Sequence, residues 1–168
     1  MLRPLDRRLR EEGWTAVERV RWRSVGHTMD DIVDRISDAV KAAGRPVDLV
    51  GHSLGAVACR EFLHHRDGDR WVRRFVSLGG PHAGTALYRF VPGPLRRVLD
   101  PRGAFVKGLG SDVEPVPTTV IRARWDHQVL PPVHAHLKGA KEVVLDGVGH
   151  NGLLWSRAAH DAVIQALS

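Results

Sequence analysis

Residues 47–55 read Val-Asp-Leu-Val-Gly-His-Ser-Leu-Gly, and no other stretch narrows the choice of fold as far. Val47, Leu49 and Val50 form a short apolar run suited to a buried parallel strand. Gly51, His52, Ser53, Leu54 and Gly55 then fit G-x-S-x-G, the sharp strand-to-helix turn known as a nucleophile elbow. The pattern has a steric cause. The serine takes a strained backbone conformation, and a side chain at Gly51 or Gly55 would collide with its surroundings. The turn lifts Ser53 Oγ above the strand ends. It also aims the Leu54 N–H and the positive end of the following helix at the same point.

The bulk properties set outer bounds. At 168 residues the chain is expected to be a single domain with a sizeable core. No apolar run reaches the roughly 18 residues a spanning helix needs, so no transmembrane segment is expected. Residues 1–10 are charged and carry no apolar leader, which as written implies a cytoplasmic protein. The single cysteine, Cys59, excludes an internal disulfide. Its neighbours Ala56, Val57 and Ala58 mark it as core packing rather than a reactive thiol. The net charge of +6 is spread over arginines along the chain. Nucleic-acid binding calls for a basic face with interleaved aromatics or a reader helix, and neither is seen, so no nucleic-acid partner is expected. A solvated basic surface is the plainer reading; a preference for anionic surfaces is the other.

Periodicity outlines the elements. Residues 2–13, with Leu2, Leu5 and Leu9 spaced by three and four, predict an amphipathic helix closed by Gly13. Residues 15–22 alternate apolar and charged and predict an edge strand. The clearest helix is 28–43, opened by a Thr28/Asp31 capping box and striped by Met29, Ile32, Val33, Ile36, Val40 and Ala43. Residues 54–65 predict the helix after the elbow, and 72–78 the next strand. Residues 79–117 are mostly irregular, with one short helix at 104–109. Strands at 118–123 and 142–145 and a closing helix at 156–167 complete the chain. Strands alternating with helices imply a mainly parallel sheet with crossovers.

A serine hydroxyl is a weak nucleophile until a base takes its proton, and the base needs an orienting acid. Ligands bind open α/β sheets at the carboxyl ends of strands, so both partners should follow strands. Asp126 does so; Asp112 and Glu114 precede their strand, and Asp146 lies too near the candidate histidine. Among ten histidines, His150 follows a strand end through Asp146-Gly147-Val148-Gly149, a turn able to present a ring. His52 sits inside the elbow, where its side chain is expected to point away. His82 is expected to brace its loop, His127 to be exposed, and His64, His65, His134, His136 and His160 to lie on the surface. No histidine pair has metal-ligand spacing with carboxylate support, so neither metal nor cofactor is expected.

The chain resembles the bacterial class 2 triacylglycerol lipases, minimal lidless members of the α/β-hydrolase fold. The resemblance runs along nearly the whole sequence. It is strongest at 47–55, in Phe75-Val76-Ser77-Leu78-Gly79-Gly80, and in the Gly-His-Asn-Gly-Leu-Leu stretch at 149–154. It implies an α/β-hydrolase-like three-layer sandwich in which Ser53 is the nucleophile, Asp126 the acid and His150 the base. The oxyanion donor after the nucleophile falls on Leu54. The family opens on an apolar strand ending in a His-Gly turn, which supplies a second oxyanion N–H. No such strand precedes Leu2 here, so the sheet is expected to lack it. Two explanations stand: a start upstream of Met1, which would also leave room for an export signal, or a shortened relative.

The expected function is therefore serine hydrolysis of a carboxylic ester, with a small-molecule or lipid ester as substrate. The same triad would also serve a thioesterase, an amidase or an acyltransferase. A non-catalytic α/β-hydrolase-fold domain that binds a lipid or a protein is the alternative from another class. Residues 80–90 and 128–133 follow strand ends and are expected to line an acyl pocket, with Leu87, Tyr88, Phe90, Val129 and Leu130 as walls.

Overall fold

A capping box, an apolar stripe and a terminal glycine dictate helix 28–43, and each feature is realised. The computed structural model describes residues 2–22, 26–110 and 113–168. In it, helix α2 spans Met29–Ala42, after the short helix α1 at Arg3–Glu11. Thr28 Oγ1 accepts from Asp31 N–H at 3.2 Å, and the Asp31 carboxylate accepts from Thr28 N–H at 2.7 Å. Two otherwise orphaned donors are thereby satisfied. Met29, Ile32, Val33, Ile36 and Val40 are all buried.

The remaining elements alternate. Strand β1 (Val47–His52) leads into helix α3 (Leu54–His65), and strand β2 (Val72–Leu78) follows. A long excursion then carries the short helices α4 (Leu95–Val98) and α5 (Ala104–Leu109). Strands β3 (Thr118–Ala123) and β4 (Lys141–Leu145) and helix α6 (Arg157–Leu167) end the fold. The four strands lie in the order β1-β2-β3-β4, every neighbouring pair parallel. Residues along β2 and β3 therefore alternate between two cores. Phe75 and Val120 face α2 and α3, whereas Val76, Leu78 and Ile121 face α1 and α6. The three-layer α/β architecture stands as expected, and the described sheet begins at the elbow strand.

Three expectations need correction. Residues 15–22 form no strand. Alternation reports a half-buried segment, and Val17, Val20 and Trp22 do pack on the cores; a strand also needs a partner. The carbonyls of Thr15 and Val17 are instead taken by the Arg10 guanidinium, at 3.2 and 2.5 Å. His160, expected at the surface, is buried and bonds the Leu154 carbonyl at 3.0 Å. The excursion after β2 contains a second short helix, α4, and a 3₁₀ turn at Ala86–Phe90 that sequence periodicity is too short to show. Asp112 lies outside the described residues. Glu114 sits before β3, at the far end of the sheet from the strand tips, paired with Arg60 and His64.

Candidate active site

Backbone strain marks the elbow. Ser53 has φ 53° and ψ −125°, one of two non-glycine residues among those described with positive φ. Such a conformation persists only where its surroundings over-determine it. Here Ser53 N–H donates to Leu78 O at 2.9 Å, which pins the turn to β2. A Cβ at Gly51 would lie 2.6 Å from Ala56 Cα, so the crossing of strand and helix admits only glycine there. At Gly55 the added Cβ would meet the Trp22 ring at 2.9 Å rather than backbone. Serine before a helix usually caps it, but Ser53 makes no side-chain cap. Its half-buried hydroxyl is free of structural duty. Leu54 opens α3, so its N–H has no acceptor within the helix.

Asp126 and His150 meet. His150 Nδ1 lies 2.7 Å from Asp126 Oδ2, and both side chains are 1% exposed. Asp126 Oδ1 accepts the N–H groups of Gln128 and Val129 at 2.8 and 2.9 Å. Burial pulls the Asp126 carboxyl upward, but the bonds from His150, Val129 and Gln128 outweigh it and hold the group below the usual carboxylate range. An ionised carboxylate can only accept, so Nδ1 carries a ring proton, and in the neutral imidazole Nε2 is then the acceptor. Nε2 is buried and has no hydrogen-bond partner among the described residues. Gly79 makes room for this ring: a Cβ there would come within 3.2 Å of Nδ1.

Ser53, Asp126 and His150 thus follow the carboxyl ends of β1, β3 and β4, the end of the sheet where the chemistry was expected. His127 is exposed, as anticipated. The cavity of about 300 Å³ lined by Val113, Pro117, Thr118 and Ala140 opens at the opposite end, where β3 begins.

One histidine departs from what the sequence suggests and another follows it. His52 does not point away: its Nε2 lies 3.2 Å from the His150 carbonyl, and the two rings stand 4.9 Å apart. Burial, then the nearby His150, push His52 down to about 4. His82 braces its loop through a buried partner, Ser77 Oγ, at 2.7 Å. Burial and the Arg60 charge push it down to about 3, so it is neutral. The pocket segments are laced together, with Ala86 N–H donating to Leu130 O at 2.8 Å and Thr85 Oγ1 to Gln128 O at 2.7 Å. Phe90 is 82% exposed and is no pocket wall. Cys59 is buried in the core, which pushes its thiol up to about 12.

A model of the palmitoyl protein thioesterase family matches residues 14–129, more than half of the chain, including the elbow and Asp126. The chain belongs to the palmitoyl protein thioesterase family. This places it within the α/β-hydrolases, the superfamily its elbow implies, and among hydrolases of acyl groups. The mouse phosphatidylcholine-sterol acyltransferase is 32% identical over 96 residues, covering 50% of this chain and 22% of that protein. The rat protein of the same name is 31% identical over the same length and shares. The chain thus spans about a fifth of these curated relatives. Among solved structures, a mature Bacillus licheniformis lipase superposes with a TM-score of 0.67 at 15% identity, covering 84% of this chain and 75% of that one. Aspergillus fumigatus lipase B gives 0.65 at 18% identity, covering 84% of this chain and 42% of that one. At these identities the likeness is one of fold, and it is the family's fold.

Proposed function

We propose that the chain is a serine hydrolase that cleaves carboxylic esters through an acyl-enzyme. One observation carries the reading: the buried Asp126–His150 pair leaves His150 Nε2 without a hydrogen-bond partner among the described residues, at the strand ends that also present Ser53. His150 Nε2 takes the proton of Ser53 Oγ as the oxygen attacks the acyl carbonyl. Asp126 holds the tautomer and stabilises the imidazolium that forms. The oxyanion accepts from Leu54 N–H, at the positive end of α3. The tetrahedral adduct collapses, His150 gives its proton to the leaving alcohol, and the acyl group stays on Ser53. Water, deprotonated by His150, then releases the acid. These steps call on no metal or cofactor.

The family match favours a second reading at the same site, in which the leaving group is a thiolate. A thiol leaves more easily than an alcohol, so the same residues suffice. An acyl acceptor other than water would make the chain a transferase.

The test is intact mass after exposure to a fluorophosphonate, on the wild type and on Ser53→Ala. A single adduct on the wild type alone is expected. No adduct on folded wild type would overturn the reading and leave a non-catalytic lipid- or protein-binding domain. A panel of matched oxygen esters and thioesters then separates the two leaving groups.

A further inference from the structure

The 85–99 excursion is a basic loop with an aromatic tip. Its ends are tied, with Thr85 N–H donating to Leu99 O at 3.0 Å, and Leu95 and Val98 are buried beneath it. It is a closed loop packed on its own side chains. It carries three arginines and neither aspartate nor glutamate. Arg89, Arg96 and Arg97 are exposed, and none joins a salt bridge among the described residues. Elsewhere, exposed Arg66, Arg73 and Arg124 meet carboxylates, whereas others, Arg7 and Arg35 among them, join no salt bridge among the described residues. Two of the loop's cations are held by an aromatic ring instead: the Arg89 and Arg96 guanidinium carbons lie 5.7 and 5.9 Å from the Tyr88 ring centre.

Four of the five large apolar side chains left in solvent among the described residues lie at this end of the molecule; the fifth, Val113, lies before β3 at the other. Phe90, beside Arg89 in the loop, is 82% exposed; Trp125, after β3, is 79%; Val133, in the segment laced to the loop, is 65%. Trp155, 67% exposed, precedes α6. That helix runs away from the strand tips, since its last residue, Leu167, accepts from Arg74 near the start of β2. Exposed aromatics standing singly need no explanation, but aromatics set with unpaired arginines at one end of a fold match the chemistry of a bilayer interface.

We propose that the 85–99 loop, flanked by Trp125, Val133 and Trp155, is a docking surface for an anionic lipid bilayer. The arginines meet lipid phosphates while Phe90 and the tryptophans enter the headgroup boundary. The strand ends that carry Ser53 then face the membrane. This surface goes beyond the chemistry proposed at Ser53 and does not depend on it.

The experiment is vesicle flotation of the wild type and of Ser53→Ala, with phosphatidylcholine alone or mixed with phosphatidylglycerol. Both proteins are expected to float with the mixed vesicles only, and to be released when salt rises from about 0.1 M to about 1 M, where the screening length falls to roughly 3 Å. Each arginine near an anionic surface is worth roughly fivefold in partition. The triple variant Arg89→Glu, Arg96→Glu, Arg97→Glu should therefore lose about a hundredfold, and Phe90→Ser should lose binding with its charges intact. Circular dichroism melting shows that each variant is folded; Arg→Gln replacements serve if the glutamates disturb the loop. Equal flotation of the charge variant and the wild type would overturn the proposal, as would equal or absent binding to the two vesicle types. So would undiminished binding by Phe90→Ser, which would point to an acidic macromolecule.

Discussion

His52 donates from Nε2 to the backbone carbonyl of His150 at 3.2 Å. A carbonyl can only accept, so the proton on His52 is fixed at Nε2. The elbow thereby grips the loop that carries the proposed base. Removing this bond should let that loop drift. His52→Leu is expected to lower kcat by roughly tenfold, the worth of one net hydrogen bond at its upper range, with KM little changed. His52→Gln, which keeps a donor, should recover part of the loss. Equal kcat in wild type and His52→Leu would show that the contact is incidental.

Asp126→Asn should keep the fold and lose activity. An amide can donate to Nδ1, which turns the imidazole to the wrong tautomer for a base at Nε2. In a worked serine–histidine–aspartate site this exchange costs about 10⁴ in kcat. A pre-steady-state comparison of acylation on the two proteins measures it. A loss below roughly tenfold would remove Asp126 from the mechanism.

Acid should unfold the protein in a defined window. His52 and His82 are depressed to about 4 and about 3 from an ordinary 6.5, so the unfolded chain binds more protons between those values. Stability rises with pH wherever the unfolded state holds more protons. Their contribution is complete above about 6.5 and lost as pH falls through about 4 and about 3. Asp126, also depressed, adds a further loss below the ordinary carboxylate range. Melting temperature against pH should fall steadily below about 6.5, and His82→Phe should flatten the slope. A slope unchanged in that variant would mean His82 already titrates normally.

The two elbow glycines should differ. Gly51→Ala drives a Cβ to 2.6 Å from Ala56 Cα, within backbone that cannot yield, and should cost about 1–3 kcal/mol. For a chain of this size that is a fall of roughly 2–12 °C in Tm. Gly55→Ala meets the rim of the Trp22 ring, a side chain able to shift, and should cost less. Differential scanning calorimetry of both variants checks the order.

Arg60 and Glu114 form a buried pair at 2.5 Å, both side chains 2% exposed. Arg60 also donates to Leu109 O and Gly110 O at 3.2 Å, closing the end of α5. Glu114→Ala would leave an uncompensated buried charge and should destabilise by about 3–5 kcal/mol. The double replacement Arg60→Met, Glu114→Leu should recover most of that loss. Urea denaturation of single and double variants measures the coupling.

Much of the fold was legible because its signals are local. The Thr28/Asp31 box, the stripe from Met29 to Val40 and the elbow turn each depend on neighbours within a few residues, and α2, β1 and α3 follow from them. Parallel pairing followed from the alternation of strands and helices, and with it the carboxyl end of the sheet, which Ser53, Asp126 and His150 follow. Residues 15–22 misled because alternation reports burial on one face, whereas a strand also requires a neighbour to accept its bonds. Arg60 and Glu114 lie 54 positions apart, and nothing in either neighbourhood announces a buried pair.

By itself the sequence determined most of the elements, their parallel pairing, and the chemical types of the proposed nucleophile, acid and base. These rest on steric and periodic rules that act over a turn or two of chain. Only the tertiary structure decided which atoms meet. It set the His150 Nδ1 bond to Asp126, the grip of His52 on the His150 carbonyl, and the exposure of Phe90, Trp125 and Trp155 at one end. Those are distances between residues tens of positions apart, fixed by how three layers pack and carried by no local pattern.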